Sequence, residues 1–116
     1  DDVFANSALA MFNILGDTTK VKSKKTTRIK VKAKDLESLL FDFLNELLFL
    51  LETKRFFLHI VKEIKVDVKR FELNAIVVGD DLRNYELKSQ IKAITYSDMS
   101  IKKTKKGYEA TVVVDI

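Results

Sequence analysis

There is no cysteine anywhere in this 116-residue chain, which excludes disulfides and thiolate metal sites and fits a reducing interior. Glycine occurs only three times, too rarely for a glycine-rich loop that wraps backbone amides around a phosphate. The single histidine, His59, lies in an apolar stretch with no carboxylate or cysteine beside it. A metal centre or general base needs such neighbours, so His59 is expected to be structural or superficial. No Ser, His, Asp arrangement of the nucleophilic kind can be traced either, and the absences together point away from an enzyme.

A membrane span is also missing. The longest apolar stretch, Leu36 to Leu51, is interrupted by Glu37, Asp42, Asn45 and Glu46, too much polarity for a span of about 20 apolar residues. The first residues, Asp1-Asp2, are acidic where a secretory signal would be basic, so the expected location is cytoplasmic.

What is present argues for one globular domain covering residues 1–116. With 47% hydrophobic and 33% charged residues, the chain has enough Leu, Val, Ile and Phe to offset its conformational entropy. The net charge of +4 is segregated. Eight cations and no anion fall between Lys20 and Lys34, whereas Asp35 to Thr53 holds five anions and no cation. Such a basic stripe could meet RNA or an acidic partner; a solvated strand face is the plainer explanation.

Phe4, Ala8, Met11, Phe12 and Leu15 recur at helical spacing over residues 1–15, and Gly16-Asp17 supplies a stop. After Lys20 the period becomes two. Thr27, Ile29, Val31 and Ala33 take one face of a strand, and Arg28, Lys30, Lys32 and Lys34 take the wet one. Asp35 fits the N-cap of a second helix over 36–51. Its buried stripe is Leu36, Leu39, Leu40, Phe43, Leu44, Leu47, Leu48 and Leu51, with Asp42 and Glu46 on a solvated face rather than in a carboxylate pair.

Three β-rich pieces follow, Phe56 to Val61, Ile64 to Val68 and Phe71 to Val78, with a turn near Lys69-Arg70. Gly79-Asp80-Asp81 is then expected to open a polar connection to a strand Ile91 to Tyr96. A last hairpin turns through Lys105-Lys106-Gly107 and returns as Tyr108 to Ile116. The fold class is therefore α+β, two amphipathic helices packed on a largely antiparallel sheet. If the last turn holds two residues, Tyr96 pairs with Asp115, and Lys92, Ile94, Val113 and Asp115 share one face. Lys92 and Asp115 would then stand about 13 Å apart, at about 3.3 Å per residue. A lysine and an aspartate in otherwise apolar strands each ask for a partner or a task.

Those last strands carry a resemblance. Leu87-Lys88-Ser89-Gln90-Ile91-Lys92-Ala93-Ile94-Thr95-Tyr96 resembles the signature strand of the archease family, and Val112-Val113-Val114-Asp115-Ile116 resembles its C-terminus. Val3 to Phe12 and Leu40 to Leu48 resemble that family's two helical blocks, so the likeness runs from residue 3 to the end. It implies a small non-catalytic α+β protein that partners the RtcB-type tRNA-splicing ligase, promoting its guanylylation and multiple turnover. A related implied role is chaperone-like partnership with tRNA-modification enzymes. Residue by residue, the resemblance implies a divalent-metal site, for calcium or magnesium, at Asp115 and Ile116, and a functional lysine at Lys92. The family also has an Asp-His-Thr-Ala-Asp type segment before its first helix that this sequence does not match, so an N-terminally incomplete domain with a weakened metal site is expected. Gln90 stands where an acidic residue is common in the family. The alternative reading keeps Arg28, Lys30, Lys32 and Lys34 as an RNA or partner patch on a basic RNA-binding module.

Overall fold

Helical periodicity gives way to strand alternation at the places the apolar residues change spacing. The computed structural model describes residues 2–116, leaving Asp1 outside the described residues. Helix α1 spans Asp2–Leu15 and buries Phe4, Ala8, Met11, Phe12 and Leu15, the expected stripe. It stops at Gly16, whose N–H still reaches the Phe12 carbonyl at 3.0 Å. Strand β1 follows at Lys25–Lys32, and then helix α2 at Leu36–Lys54, a turn longer than the leucine stripe alone suggests.

The ends of α2 explain its length. The Asp35 carboxylate accepts from the Ser38 N–H at 2.7 Å, satisfying one of the donors a helix start leaves free. At the other end Arg55 adopts φ +54, the left-handed conformation in which a helix unwinds, and its N–H bonds the Leu50 carbonyl. Between the caps, Leu39, Leu40, Phe43, Leu44 and Leu47 are completely buried. Each such side chain contributes about 1.5–3 kcal/mol by leaving water.

The strands divide into two antiparallel sheets instead of forming one. β1, β3 (Glu72–Asp81) and β2 (Phe56–Asp67) make a three-stranded sheet in the order β1-β3-β2, and β4 (Ala93–Thr104) pairs only with β5 (Gly107–Asp115). Both helices touch both sheets, so the buried faces of α1, α2, β1–β3 and the start of β4 meet in one core. Among the described residues, no helix is long and apolar enough to cross a membrane.

Two expectations about this half are corrected. The pieces Phe56 to Val61 and Ile64 to Val68 are one strand, β2, continued through register shifts that leave His59 and Lys62 as extra residues. A bulge re-aims its side chain, and His59 accordingly donates its Nδ1–H to the Thr18 carbonyl at 2.9 Å, a structural contact. Gly79-Asp80-Asp81 does not open a connection; it ends β3, and Asp80 is only 6% exposed. Gly79 serves close approach here, because a Cβ at that position would fall on the Phe57 carbonyl oxygen. Asp80 tolerates burial because three donors satisfy it: the Tyr85 hydroxyl at 2.7 Å, the Asp81 N–H at 2.7 Å and the Asn84 amide at 3.3 Å.

The turn between β2 and β3 falls at Lys69-Arg70 as expected, although no glycine occupies it. Asp67 takes over that role, accepting from the Lys69 N–H at 3.0 Å and the Arg70 N–H at 3.1 Å.

Candidate functional site

The β4–β5 ribbon begins as its turn chemistry dictates. Thr104 pairs with Gly107 across a two-residue loop, and Ser100 still pairs with Thr111 in the same frame. Farther along, Thr95 pairs with Val113, so the four residues Tyr96–Met99 of β4 lie opposite Val112 alone. β4 thus carries three extra residues, a wide bulge of the kind that bends a strand and redirects side chains. Met99 turns into the core at 7% exposure, while the Tyr96 ring packs edge-on to Phe41 at 5.2 Å and its hydroxyl meets that of Ser38 at 2.9 Å. The bulge is therefore pinned to the first two turns of α2.

That bulge overturns the expected register. Asp115 lies opposite Ala93 rather than Tyr96, and Ile94 lies opposite Val114. Since directly opposed residues share a face and neighbours alternate, Asp115 goes with Ala93, Thr95 and Val113, away from Ile94. The shift is an odd number of residues, which is why the expected common face of Ile94 and Asp115 is lost.

Lys92 changes its setting too. It is not inside a strand: Leu87–Lys92 is an irregular connector, and β4 starts only at Ala93. Backbone hydrogen bonds hold that connector at both ends, from the Lys88 N–H to the Leu15 carbonyl at 2.7 Å and from the Lys92 N–H to the Asp115 carbonyl at 2.6 Å. Lys92 and Asp115 therefore do meet, through their main chains, at one end of the ribbon, and both side chains are exposed. Ile116 follows at 64% exposure. Beside this end the connector borders a cavity of about 520 Å³, with Leu15, Leu51, Leu87, Lys88 and Ile91 in its walls.

A hard divalent cation takes about six to eight oxygen ligands, and Asp115 with an Ile116 oxygen supplies a minority of them. Among the described residues, no three His, Cys, Asp or Glu side chains cluster as a metal ion requires. The residues present do not by themselves fit a complete calcium or magnesium site.

The basic stripe is divided by the strand's end. Arg28, Lys30 and Lys32 stay on the open face of β1, while Lys34 lies beyond it, in a shallow groove with Ala33, Ser38, Phe41, Asp42 and Tyr96. Lys32 is engaged by Glu72 at 3.4 Å, an exposed pair that contributes little to stability. Reading β1 alone misses Lys65 and Asn74, which register brings alongside Lys30; the alternation in β2 and β3 contains that signal. Asp42 and Glu46 are exposed on α2, as a solvated face requires.

Two helices sandwiched with antiparallel sheets, closed by a ribbon whose end gathers a lysine and an aspartate, define a small α+β protein with an exposed charged tip. The solved solution structure of Methanobacterium thermoautotrophicum protein 1598 has the same fold, with a TM-score of 0.81 and 33% identity over 98% of this chain and 83% of that one. The defining pattern of the archease protein family (MTH1598/TM1083) matches residues 1–116. The chain is 41% identical to protein archease of Methanosarcina barkeri, over all of its own length and 82% of that relative. It is 35% identical to protein archease of Pyrococcus abyssi and 36% identical to that of the fish Ictalurus punctatus, covering 84% and 73% of them. The chain belongs to the archease family.

Proposed function

We propose that the chain works in the cytoplasm as a non-catalytic protein partner of an RtcB-type tRNA-splicing ligase, promoting the ligase's guanylylation and multiple turnover. Family membership supports the reading, and one observation carries it: the 2.6 Å hydrogen bond that gathers Lys92 and Asp115 at the exposed end of the ribbon. Neither residue is used by the core, so their charges are available to a second protein.

The two side chains divide the work. The Lys92 ammonium offers three donors to the phosphates of the nucleotide in the ligase centre, where charge shifts during guanylyl transfer. Asp115 offers a carboxylate to donors or cations that the ligase itself contributes. The short backbone bond holds the two residues side by side at one end of the ribbon, while both side chains stay free to adjust to a partner.

Single-turnover guanylylation of a cognate ligase tests this, with the unaltered chain, Asp115→Ala or Lys92→Ala added. Each substitution is expected to lower the stimulated rate at least about tenfold, equivalent to about 1.4 kcal/mol of barrier. Both positions are exposed, so thermal stability should stay within about 0.5 kcal/mol. Equal rates with all three proteins would sink the proposal.

A further inference from the structure

Strand register places on the open face of the β1-β3-β2 sheet an arrangement that no single strand reveals. Residues directly opposite across neighbouring strands share a face, so the pairings define rows. One row is Arg28, Ile76, Glu63; the next is Lys30, Asn74, Lys65; the last is Lys32, Glu72, Asp67. The positions between the rows, Ile29, Ala75 and Ile64, turn inward to the core.

The last row holds one cation, Lys32, against two carboxylates, Glu72 and Asp67. Glu72 takes Lys32, and Asp67 is occupied with the turn amides of Lys69 and Arg70. In the other two rows Arg28, Lys30 and Lys65 stand against Glu63 alone, and among the described residues none of the three forms an ion pair. Lys30 and Lys65 flank Asn74 from either side, an arrangement of like charges that a sheet face does not favour for its own stability. Arg28, Lys65 and Asn74, together with Glu63, also line a cavity of about 420 Å³ on this face.

We infer that this face is a phosphate-binding site for double-helical nucleic acid, in which Arg28, Lys30 and Lys65 neutralise backbone phosphates and the Asn74 amide donates a hydrogen bond between them. The surface is open and spans neighbouring strands, which suits a backbone rather than an enclosed small anion. It holds no aromatic ring: the exposed Phe49, Tyr96 and Tyr108 all lie on α2 or the ribbon. Bases therefore have nothing to stack on here, which favours a duplex read through its phosphates over a single strand. The inference does not depend on the ligase partnership and survives its failure.

The test is fluorescence anisotropy with a labelled RNA duplex over a range of salt concentrations, and the probe distinguishes the contributions by their salt response. Lys30→Ala and Lys65→Ala should each weaken binding and each reduce the log–log salt slope by about 1, as the loss of one phosphate contact does. Asn74→Ala should weaken binding with the slope unchanged, because an amide displaces no counterion. These side chains are exposed, and the circular dichroism melt of each variant should match that of the unaltered chain. Loss of affinity on Lys103→Ala or Lys105→Ala at the hairpin tip, with the sheet variants unaffected, would overturn the assignment. So would displacement of the duplex by inorganic phosphate at equal phosphate concentration, which marks a small-anion site, or equally tight binding of polyglutamate, which marks an acidic protein.

Discussion

The helix-and-sheet core formed by residues 2–81 and the ribbon formed by residues 93–115 obey different rules. In the core, α1, α2 and β3 each bury an apolar stripe, and a slip of one residue in β3 would turn its stripe outward. In the ribbon only Ile94 and Met99 are buried, and β5 has no buried residue at all. Register in the core is thus held by burial, whereas in the ribbon it is held by a turn at one end and a tyrosine clamp in the middle. The lesson is that the charged tip sits on the part of the molecule with the least apolar area to define it. A binding tip gains from such freedom, because local rearrangement there costs little.

Glycine substitutions give the sharpest contrast between the two regions. At Gly79 an added methyl meets the Phe57 carbonyl and crowds the Phe56 ring, backbone and core groups that cannot step aside. Gly79→Ala is expected to cost about 3 kcal/mol or more, enough to leave much of the chain unfolded in a urea titration. Gly107 has nothing near its missing side chain, but its φ of +133 lies where side chains are strained. Gly107→Ala should therefore cost only about 1–2 kcal/mol, loosening the hairpin tip without unfolding the core. Equal losses at the two sites would erase the distinction between them.

The same contrast explains what could be read from the residues. Phe4 to Leu15 and Leu36 to Leu51 announced their helices because a 3.6-residue repeat has no other economical explanation, and Ile29 and Val31 announced the inner face of β1. Lys105-Lys106 marked the last turn correctly, and pairing from there predicts Ser100 opposite Thr111. What period-two reasoning does not locate is the bulge at Tyr96–Met99, because it is set by α2: Ser38 and Phe41 capture Tyr96 only once the helix is in place. Gly79-Asp80-Asp81 misleads for a related reason. A glycine needed for a close crossing and an aspartate needed to hold Tyr85 have the composition of a turn. Lys92 and Asp115 stand out as charges in otherwise apolar stretches near one end of the last hairpin, but the bond that joins them is a backbone contact no side-chain pattern encodes.

Met99 is the point where the ribbon is tied into the core, so it sharpens the comparison next. Met99→Ala removes an anchor that is 7% exposed and should cost about 2 kcal/mol, the low end for deleting a buried methionine at a site free to collapse. Hydrogen exchange is the useful readout. Amides of β4 and β5 should lose protection well before those of β1–β3, as local opening of a separate unit requires. A uniform loss across both sheets would mean that core and ribbon unfold as one unit.

The smallest effect concerns the seam between the regions. The Tyr85 hydroxyl accepts from the Lys22 N–H at 2.9 Å and donates to Asp80 at 2.7 Å, tying the residues just before the connector to the end of β3. The Tyr85 hydroxyl, and after it the Asp81 N–H, hold the Asp80 carboxyl below its ordinary range. Because its folded value lies under its unfolded value of about 3.9, Asp80 contributes stability that is complete above that pH. The contribution is lost as pH falls through the lower folded value, when the carboxylate takes up a proton and gives up an acceptor. The gap in urea midpoint between the unaltered chain and Asp80→Asn should thus be widest near neutral pH and close progressively on acidification below about pH 4. The connector's amides, Lys88 and Lys92 included, should follow the same trend in hydrogen exchange if Asp80 and Tyr85 are what joins them to the core. A gap of constant width at every pH would show that the aspartate acts through its shape alone, leaving Met99 as the tie between ribbon and core.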